Sequence, residues 1–185
     1  MKKVLYLALS LLFFTGCGGK ELSNVSLVRT LGIDGPGPVT VTAIAGTEEE
    51  RALFCCEGED IIAAQAVLET LGTERLAVTH VGQVVLGETA SAKTLWEEIV
   101  HRDSGYGATV WLTEEGSAYD LLAGGDDPAG RLKHLEESGV AAPSLLEAVS
   151  ALARDGRVSV PVIGLRDGNI QVTGTREIRA EEALQ

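Results

Sequence analysis

Cysteine is the residue type in this sequence with the clearest chemical potential. Cys17 follows the small residues Thr15 and Gly16, whereas Cys55 and Cys56 are adjacent. A thiolate can be alkylated, and small neighbours let a peptide enter a peptidase. Neighbouring residues of a strand point to opposite faces, and a disulfide between neighbours requires a strained backbone. We therefore predict a modification site at Cys17 and two small buried hydrophobic side chains at positions 55 and 56.

The residues before Cys17 have the order of a secretory signal. Lys2 and Lys3 give a positive start, and an apolar run from Val4 to Phe14 leads to the small residues before the cysteine. This apolar core of about a dozen residues is shorter than the roughly 20 that a membrane-spanning helix needs. The alternatives are an uncleaved anchor helix and a buried core helix. Globular domains seldom begin with this pattern. Residues 1–16 are therefore predicted to be a cleaved signal peptide.

The segment Phe14–Cys17 resembles the lipobox of bacterial lipoproteins, with phenylalanine where leucine is commoner. The resemblance implies that a diacylglycerol, with acyl chains such as palmitate, is attached to the Cys17 sulfur through a thioether. Two acyl chains hold a protein stably at a membrane, whereas one chain gives only marginal binding. Residues 17–23 then form a lipidated tether, and the mature protein is expected on the outer face of a membrane without crossing it.

Histidine is the second residue type that can carry chemistry, and the sequence contains His80, His101 and His134. None of them stands beside a second metal ligand at a recognised spacing, and no HExxH motif occurs. His80 lies between apolar runs, so we expect a buried ring that is fixed by hydrogen bonds rather than a catalytic base. The other two histidines are expected to be structural or exposed.

Other catalytic and ligand-binding patterns are missing as well. The glycine-rich places match neither a phosphate-binding loop nor a dinucleotide fingerprint, and no GxSxG elbow occurs. The acidic clusters lack the alternating ligands of an EF-hand loop, so solvated surface charge is favoured over weak calcium binding at Glu48–Glu50, Asp126-Asp127 and Glu181-Glu182. The sequence thus predicts no catalytic residue, no metal site and no cofactor, and it favours a protein that is not an enzyme.

The charge balance argues against one class of partner. The chain has 27 acidic and 15 basic residues, and removing Lys2 and Lys3 with the signal leaves a net charge of −14. Nucleic acid is bound largely through Lys and Arg contacts to phosphate, so no nucleic-acid partner is expected. The acidity also disfavours a basic patch for anionic lipids, and membrane contact is expected through the covalent anchor.

Predicted strands alternate with predicted helices in the sequence that follows Cys17. Strand patterns flank a turn at 34–37, and further strands are predicted at 51–57, 76–80, 83–86, 108–113, 157–165 and 169–173. Helical spacing is found at 60–71, 91–101, 117–122, 128–137 and 143–154, with a last short helix predicted from Ala180. This alternation predicts an α/β fold, a single domain over residues 24–185 with a mixed β-sheet flanked by helices. Trp96 and Trp111 are expected in its core.

Four segments, together with the lipobox, are similar to the Ger(x)C lipoproteins, the C subunits of nutrient germinant receptors in endospore-forming bacteria. Residues 20–25 followed by Leu31–Asp34 resemble the opening of that family, and residues 79–88 resemble its strand with a histidine, aliphatic residues and Gly-Glu. The remaining matches are to the next strand and helix and to the closing strands of the N-terminal domain of the family, at residues 110–122, 160–162 and 174–175. Two features depart from the family: Gly18 and Gly19 stand where the family usually has a bulky residue, and the resemblance covers only the N-terminal domain of the family.

The resemblance implies a non-enzymatic subunit on the outer surface of the spore inner membrane. It would assemble with two integral membrane partners, the germinant receptor A and B subunits, in a complex whose response to nutrients starts spore germination. Two other classes stay open from the residues alone. One is a solute-binding or scaffolding lipoprotein unrelated to germination, which a ligand pocket would favour. The other is an exported hydrolase, which requires His80 or His101 beside an acid in a cleft.

Overall fold

A computed structural model of the chain describes residues 25–35, 38–47, 50–71, 75–90, 92–101 and 105–180. In these ranges an eight-stranded mixed sheet is flanked by helices, which confirms the predicted α/β class. The strands are β1 Val25–Asp34, β2 Val39–Gly46, β3 Arg51–Gly58, β4 Arg75–Ala77, β5 Gln83–Leu86, β6 Thr109–Thr113, β7 Arg157–Arg166 and β8 Asn169–Arg179. The α-helices are α1 Ile61–Leu68, α2 Ala92–His101, α3 Ala118–Gly124, α4 Pro128–Glu137 and α5 Leu145–Asp155.

The sheet has a parallel centre and antiparallel edges. Its strand order is β3-β2-β1-β5-β6-β7-β8, with β4 also paired to β1. Strands β1, β5, β6 and β7 run parallel, whereas β2, β3 and β8 are added as antiparallel hairpins. The hairpin between β7 and β8 turns at Asp167 and Gly168, which both have positive φ, as the Asp-Gly type I′ turn requires. The antiparallel pairing of β1 with β2 confirms the predicted first hairpin.

The strand predicted at residues 76–80 is wrong in its second half. Strand β4 ends at Ala77, and residues Val78–His80 form a 3₁₀ turn before β5 begins at Gln83. Strand β4 pairs with the start of β1 and β5 pairs with its second half, so the turn interrupts one continuous line of pairing. On the other side of β1, the pairing with β2 shifts register between Val28 and Thr30. The interruption and this bulge lie at the same level of the sheet.

The two faces of the sheet carry separate cores, which makes the fold a three-layer sandwich. Helices α1, α2 and α5 cover the first core, where Leu95 and Leu145 are fully buried. Helices α3 and α4 cover the smaller second core, which contains Leu132 and Trp111. Trp111 is fully buried as predicted, but Trp96 is 52% exposed on α2, so its predicted core position is wrong.

Local signals account for the helix ends and for the remaining differences. Ser144 caps α5 in a capping box with Glu147, and Gly156 ends the helix in the left-handed conformation. The strand predicted to end at residue 173 continues as β8 to Arg179, because the whole of β7 pairs with it. The helix predicted from Ala180 lies outside the described residues except for Ala180 itself.

Candidate functional site

The predicted lipid site at Cys17, with the signal peptide and the whole of the tether, lies outside the described residues. Strand β1 begins at Val25, eight positions after Cys17. An extended chain spans at most about 3.3–3.6 Å per residue. The start of β1 is therefore held within roughly 30 Å of the Cys17 sulfur, whatever the conformation of the linking residues. A lipid on that sulfur would keep this end of the sheet close to a bilayer.

The two adjacent cysteines have different environments. They point to opposite faces of β3, as predicted, but only Cys56 is buried and Cys55 is exposed. The Cys56 thiol lies 2.8 Å from the carbonyl oxygen of Ala64 on α1. Burial raises the pKa of the Cys56 thiol, and the neighbouring Cys55 adds to this effect. Cys56 is therefore a neutral core side chain, while the prediction that Cys55 is also buried is wrong, because β3 is an edge strand.

His80 is exposed at the end of the 3₁₀ turn, so the predicted burial of its ring is wrong. The chain leaves β4 at Ala77, and the turn carries the ring out of the sheet instead of into the core. The expected hydrogen bond to the ring is present, because His80 Nδ1 lies 2.8 Å from the hydroxyl of Thr79. His134 is exposed on α4, in agreement with the expectation for it, and the side chain of His101 is outside the described part.

Ligands of parallel α/β sheets usually bind at the carboxyl ends of the strands, but at the end of β1 this position is filled by a side chain of the protein itself. Asp34, the last residue of β1, accepts hydrogen bonds from the backbone N–H groups of Ala118 at 2.6 Å and Tyr119 at 3.1 Å. A helix start is a natural place for an anion, and the Asp34 carboxylate occupies it. Burial raises the pKa of the Asp34 carboxyl, while the two backbone donors oppose this shift.

The neighbouring residues close the same edge. Gly87 follows β5, and a methyl group in place of its hydrogen would overlap Asp34 Oδ1. Glu88 Oε2 accepts the backbone N–H of Gly116 at 3.2 Å. Between β6 and β7, Arg166 forms an ion pair with Glu114. The carboxylates of Asp34 and Glu88 are thus occupied by backbone N–H groups. Farther along the same edge, a cavity of about 210 Å³ lies beside Glu114 and Arg166.

A cleft opens instead at the amino end of β5, where the strand line is interrupted. This amino-end cleft has a volume of about 260 Å³ and is lined by Arg29, His80, Gly82, Gln83, Ala129, Gly130 and Lys133. The bulge in β1 places Arg29 there, and its carbonyl oxygen accepts the N–H of Gly82 at 2.8 Å. Bulges commonly re-aim side chains beside functional sites. The lining combines three basic residues with one buried amide.

Gln83 supplies the buried amide and is only 8% exposed. Its Oε1 accepts a hydrogen bond from the hydroxyl of Thr30, at 3.0 Å, and Thr30 is fully buried on the adjacent strand. No residue in the described ranges is recorded as a partner for the amide nitrogen. A buried N–H group without a partner is costly, and Gln83 is one of the residues that line the cleft.

A second cavity of about 420 Å³ continues from the amino-end cleft. It shares Arg29 and His80 and extends along Val25–Leu27 to Thr47 and Glu50. The start of β1, where the tether enters the fold, therefore forms part of the wall. The hydrolase alternative requires a histidine beside an acid in a cleft. Here His80 and Glu50 share a cavity but do not contact each other through a hydrogen bond.

The acidic clusters behave as surface charge where they are described. Arg51 on the edge strand pairs with Asp127 at 3.0 Å and with Asp126 at 3.6 Å, and Asp127 also caps α4. Within the described ranges, no group of three or more His, Cys, Asp or Glu residues is arranged to hold a metal ion. None of the helices in those ranges combines the length and the apolar composition that a membrane crossing requires.

Comparisons of the chain with family models, with curated proteins and with solved structures found no match. The assignment of a function therefore rests on the sequence features and on the geometry described above.

Sequence reasoning did not find the amino-end cleft, because its residues are far apart in the chain. Arg29 and Lys133 are separated by more than 100 positions and meet only through the sheet order and the placement of α4. One local signal was present, since Gln83 is a polar residue at the start of an otherwise aliphatic buried strand. Neither the bulge at Arg29 nor the 3₁₀ turn at His80 has a distinct sequence pattern.

Proposed function

We propose that this chain is a membrane-anchored lipoprotein subunit of a nutrient germinant receptor. It acts in spore germination by assembling with the integral membrane A and B subunits on the extracytoplasmic face of the spore inner membrane. The observation that carries the proposal is the lipobox-like segment ending at Cys17, followed in order by the segments that resemble the Ger(x)C family.

The geometry supports treating three of those segments as one packing unit. Asp34 comes from the first segment, Gly87 and Glu88 from the second, and Ala118 and Tyr119 from the third. In the fold they meet at the carboxyl edge, through the Asp34 hydrogen bonds and the close approach of Gly87. The three segments that carry the resemblance are therefore in contact with one another in this fold.

Membrane anchoring would raise the effective concentration of such a subunit near its integral membrane partners. A lipid on Cys17 would confine the domain to the membrane that holds the integral subunits, and tethering raises the effective concentration for weak contacts, to the millimolar range for short linkers. The role needs no catalysis by this chain. It needs a rigid domain, and the parallel centre of the sheet, buried on both faces, provides one.

The anchoring step is tested by replacing Cys17→Ala in the native host, with Cys55→Ala as a matched control that also removes one thiol. The wild-type and C55A proteins should carry an acylated N-terminus by mass spectrometry and stay in the membrane fraction after a salt wash. The C17A protein should be unacylated and lost from that fraction. Spores of the C17A strain and of a deletion strain should germinate poorly with nutrients, while the C55A strain germinates normally.

Two results contradict the proposal. An unacylated native N-terminus, with the protein free in a salt-washed soluble fraction, removes the anchor on which the assignment depends. Unchanged nutrient-triggered germination in the deletion strain removes the receptor role even if the lipid is found.

The amino-end cleft favours a second candidate, a solute-binding lipoprotein unrelated to germination. Concave sites with a few convergent polar groups are the usual form of small-molecule sites, and the cleft has this form. A deletion strain with normal germination, together with an acylated native protein, would select this candidate over the receptor subunit.

A further inference from the structure

Strand β3 leaves one edge of the sheet open. It is the last strand in the sheet order, and among the described strands it pairs only with β2. The Thr47 N–H donates to the Glu50 carbonyl at the hairpin, and alternate residues of an antiparallel strand bond to the neighbouring strand. Arg51, Leu53 and Cys55 therefore direct their backbone N–H and C=O groups away from β2. Within the described ranges these groups have no backbone partner.

The open edge of β3 lacks the features that usually prevent the addition of a strand. Proline, lysine, bulges and inward-pointing charges are the common forms of protection. Residues 52–56 are uncharged and include no proline, and all eight pairs between β3 and β2 follow one register. The pairing of β8, the opposite edge strand, shifts register, and β8 carries Arg176, Glu177 and Arg179. Strand β3 is therefore the edge that is suited to accept another strand.

An apolar cavity lies beside this edge, on the face of the second core. Its volume is about 160 Å³, and its lining includes Leu53 of β3, Leu122 of α3 and Pro128 of α4, with Arg51 as the one charged residue. When a peptide adds to a sheet edge, main-chain hydrogen bonds give affinity, and pockets for alternate side chains give specificity. The cavity offers such a place for an aliphatic side chain of an added strand.

Helix α1 packs on the other face of β3, where the Cys56 thiol meets the carbonyl oxygen of Ala64. The helix contains no charged residue, and a helix that is apolar on all sides is normally buried. Nevertheless, Ile62 is 46% exposed and Val67 is 44% exposed. The helix that covers β3 thus presents apolar surface that no described residue covers.

The charges at the two ends of β3 indicate the chemistry of the occupant. Acidic residues precede the strand and lie at its far end, namely Glu48–Glu50, Glu57, Glu59 and Asp60. The one basic residue of the strand, Arg51, is already paired with Asp127. A second copy of the chain paired along β3 would bring acidic ends together in either direction, and like charges opposed across strands are destabilising. A strand with basic residues at both ends would be attracted instead.

We propose that the open edge of β3 is a docking site for an extended segment of a partner protein, with an apolar centre and with lysine or arginine at both ends. The segment adds to the sheet as a strand and bonds to the outward backbone groups of Leu53 and Cys55. One aliphatic side chain enters the cavity, and the basic ends lie near Glu50 and Glu57. This docking site does not depend on the receptor role proposed above.

The first test measures binding of synthetic peptides to the full lipidated protein in dodecyl maltoside by fluorescence anisotropy. The probe is fluorescein-labelled Lys-Lys-Leu-Thr-Val-Thr-Leu-Lys-Lys. One control peptide has glutamate in place of every lysine. The other has N-methyl groups on alternate central residues, which remove backbone donors and keep the charges. The probe should bind more weakly as ionic strength rises, and both control peptides should bind about tenfold more weakly than the probe or not at all.

The second test locates the probe with substitutions in the protein. Leu53→Pro removes an outward N–H group and obstructs strand pairing, so it should abolish binding. Glu57→Lys should weaken binding about fivefold, as expected for the loss of exposed ion pairs. Glu137→Lys makes the same change of charge at an exposed position of α4 and should have no effect. Circular dichroism checks that L53P keeps its fold.

Preferential binding of the basic probe, with loss on N-methylation and weakening by E57K, supports the docking site. Absence of probe binding, equal binding of the N-methylated peptide, or equal affinities of E57K and E137K overturns it, whether or not L53P folds. A wild-type dimer in analytical ultracentrifugation that becomes a monomer in L53P also overturns it, because a second copy would then be the occupant. None of these measurements involves germination, so the docking site and the receptor role can fail separately.

Discussion

At the scale of single residues, position in the sheet decides what an identical side chain does. Cys55 and Cys56 are neighbours in the same strand, yet one faces solvent and the other packs against α1. Burial raises the pKa of the Cys56 thiol, which lowers its thiolate population at neutral pH, and only the thiolate reacts. The two thiols are therefore expected to differ strongly in reactivity.

We predict that Cys55 reacts with iodoacetamide at the rate of an exposed thiol and that Cys56 reacts on the order of 100-fold more slowly. The measurement uses Cys56→Ala and Cys55→Ala, so that each protein reports one of the two thiols, with the modified peptide followed by mass spectrometry. In denaturant the two rates should become similar. Comparable rates in the folded protein would show that α1 does not cover Cys56.

At the scale of elements, Asp34 joins the end of β1 to the start of α3. A capping side chain normally precedes its own helix, as Ser117 does here, but Asp34 is 84 positions before Ala118. The contact therefore links distant parts of the chain, and Gly87 is the residue that leaves room for it.

The contact between Asp34 and Gly87 predicts a strong energetic coupling between substitutions at these two positions. Asp34→Ala should lower the free energy of unfolding by about 1–2 kcal/mol, the usual cost of losing a cap. Gly87→Ala should also destabilise, because its methyl group overlaps the carboxylate, but in the D34A background the obstructing atoms are absent and its cost should largely disappear. Chemical denaturation of the single and double variants measures this coupling. Additive effects would contradict the contact.

The Asp34 carboxyl also makes the destabilisation caused by Asp34→Ala depend on pH. The folded state holds the Asp34 proton more tightly than the unfolded chain, because burial raises the pKa. The stability linked to this proton is fully present below the ordinary value of 3.8 and is lost as the pH rises through the folded pKa. The difference between wild type and D34A should therefore be larger in acid than at neutral pH, as measured by denaturation at both.

At the scale of the whole molecule, one sheet supports two cores. Leu145 belongs to the first core and Leu132 to the second, and the two cores take alternate residues of the same parallel strands, as Val110 and Trp111 of β6 show. Loss of either core exposes one face of those strands, so the two faces are not expected to unfold separately. Trp111 is buried in the second core and reports on it directly.

We predict that Leu145→Ala and Leu132→Ala each cost about 2–5 kcal/mol and shift all probes together. In a Trp96→Phe background, the fluorescence of Trp111 reports the second core while far-ultraviolet circular dichroism reports the whole fold. The two midpoints should coincide in both variants. A Leu145→Ala protein whose circular dichroism changes before Trp111 fluorescence would indicate that the cores are independent.

The sequence by itself determined the fold class and the order of most elements, because hydrophobic periodicity is a local property that a few residues encode. It also predicts the anchor at Cys17, since a signal and a lipobox are linear patterns. The tertiary structure alone decided that Trp96 and Cys55 are exposed, that a turn carries His80 out of the sheet, and that Arg29, Gln83 and Lys133 line one cleft. Those outcomes depend on which strand is at the edge, where pairing is interrupted and which helix covers which face, and these are contacts between residues far apart in the chain.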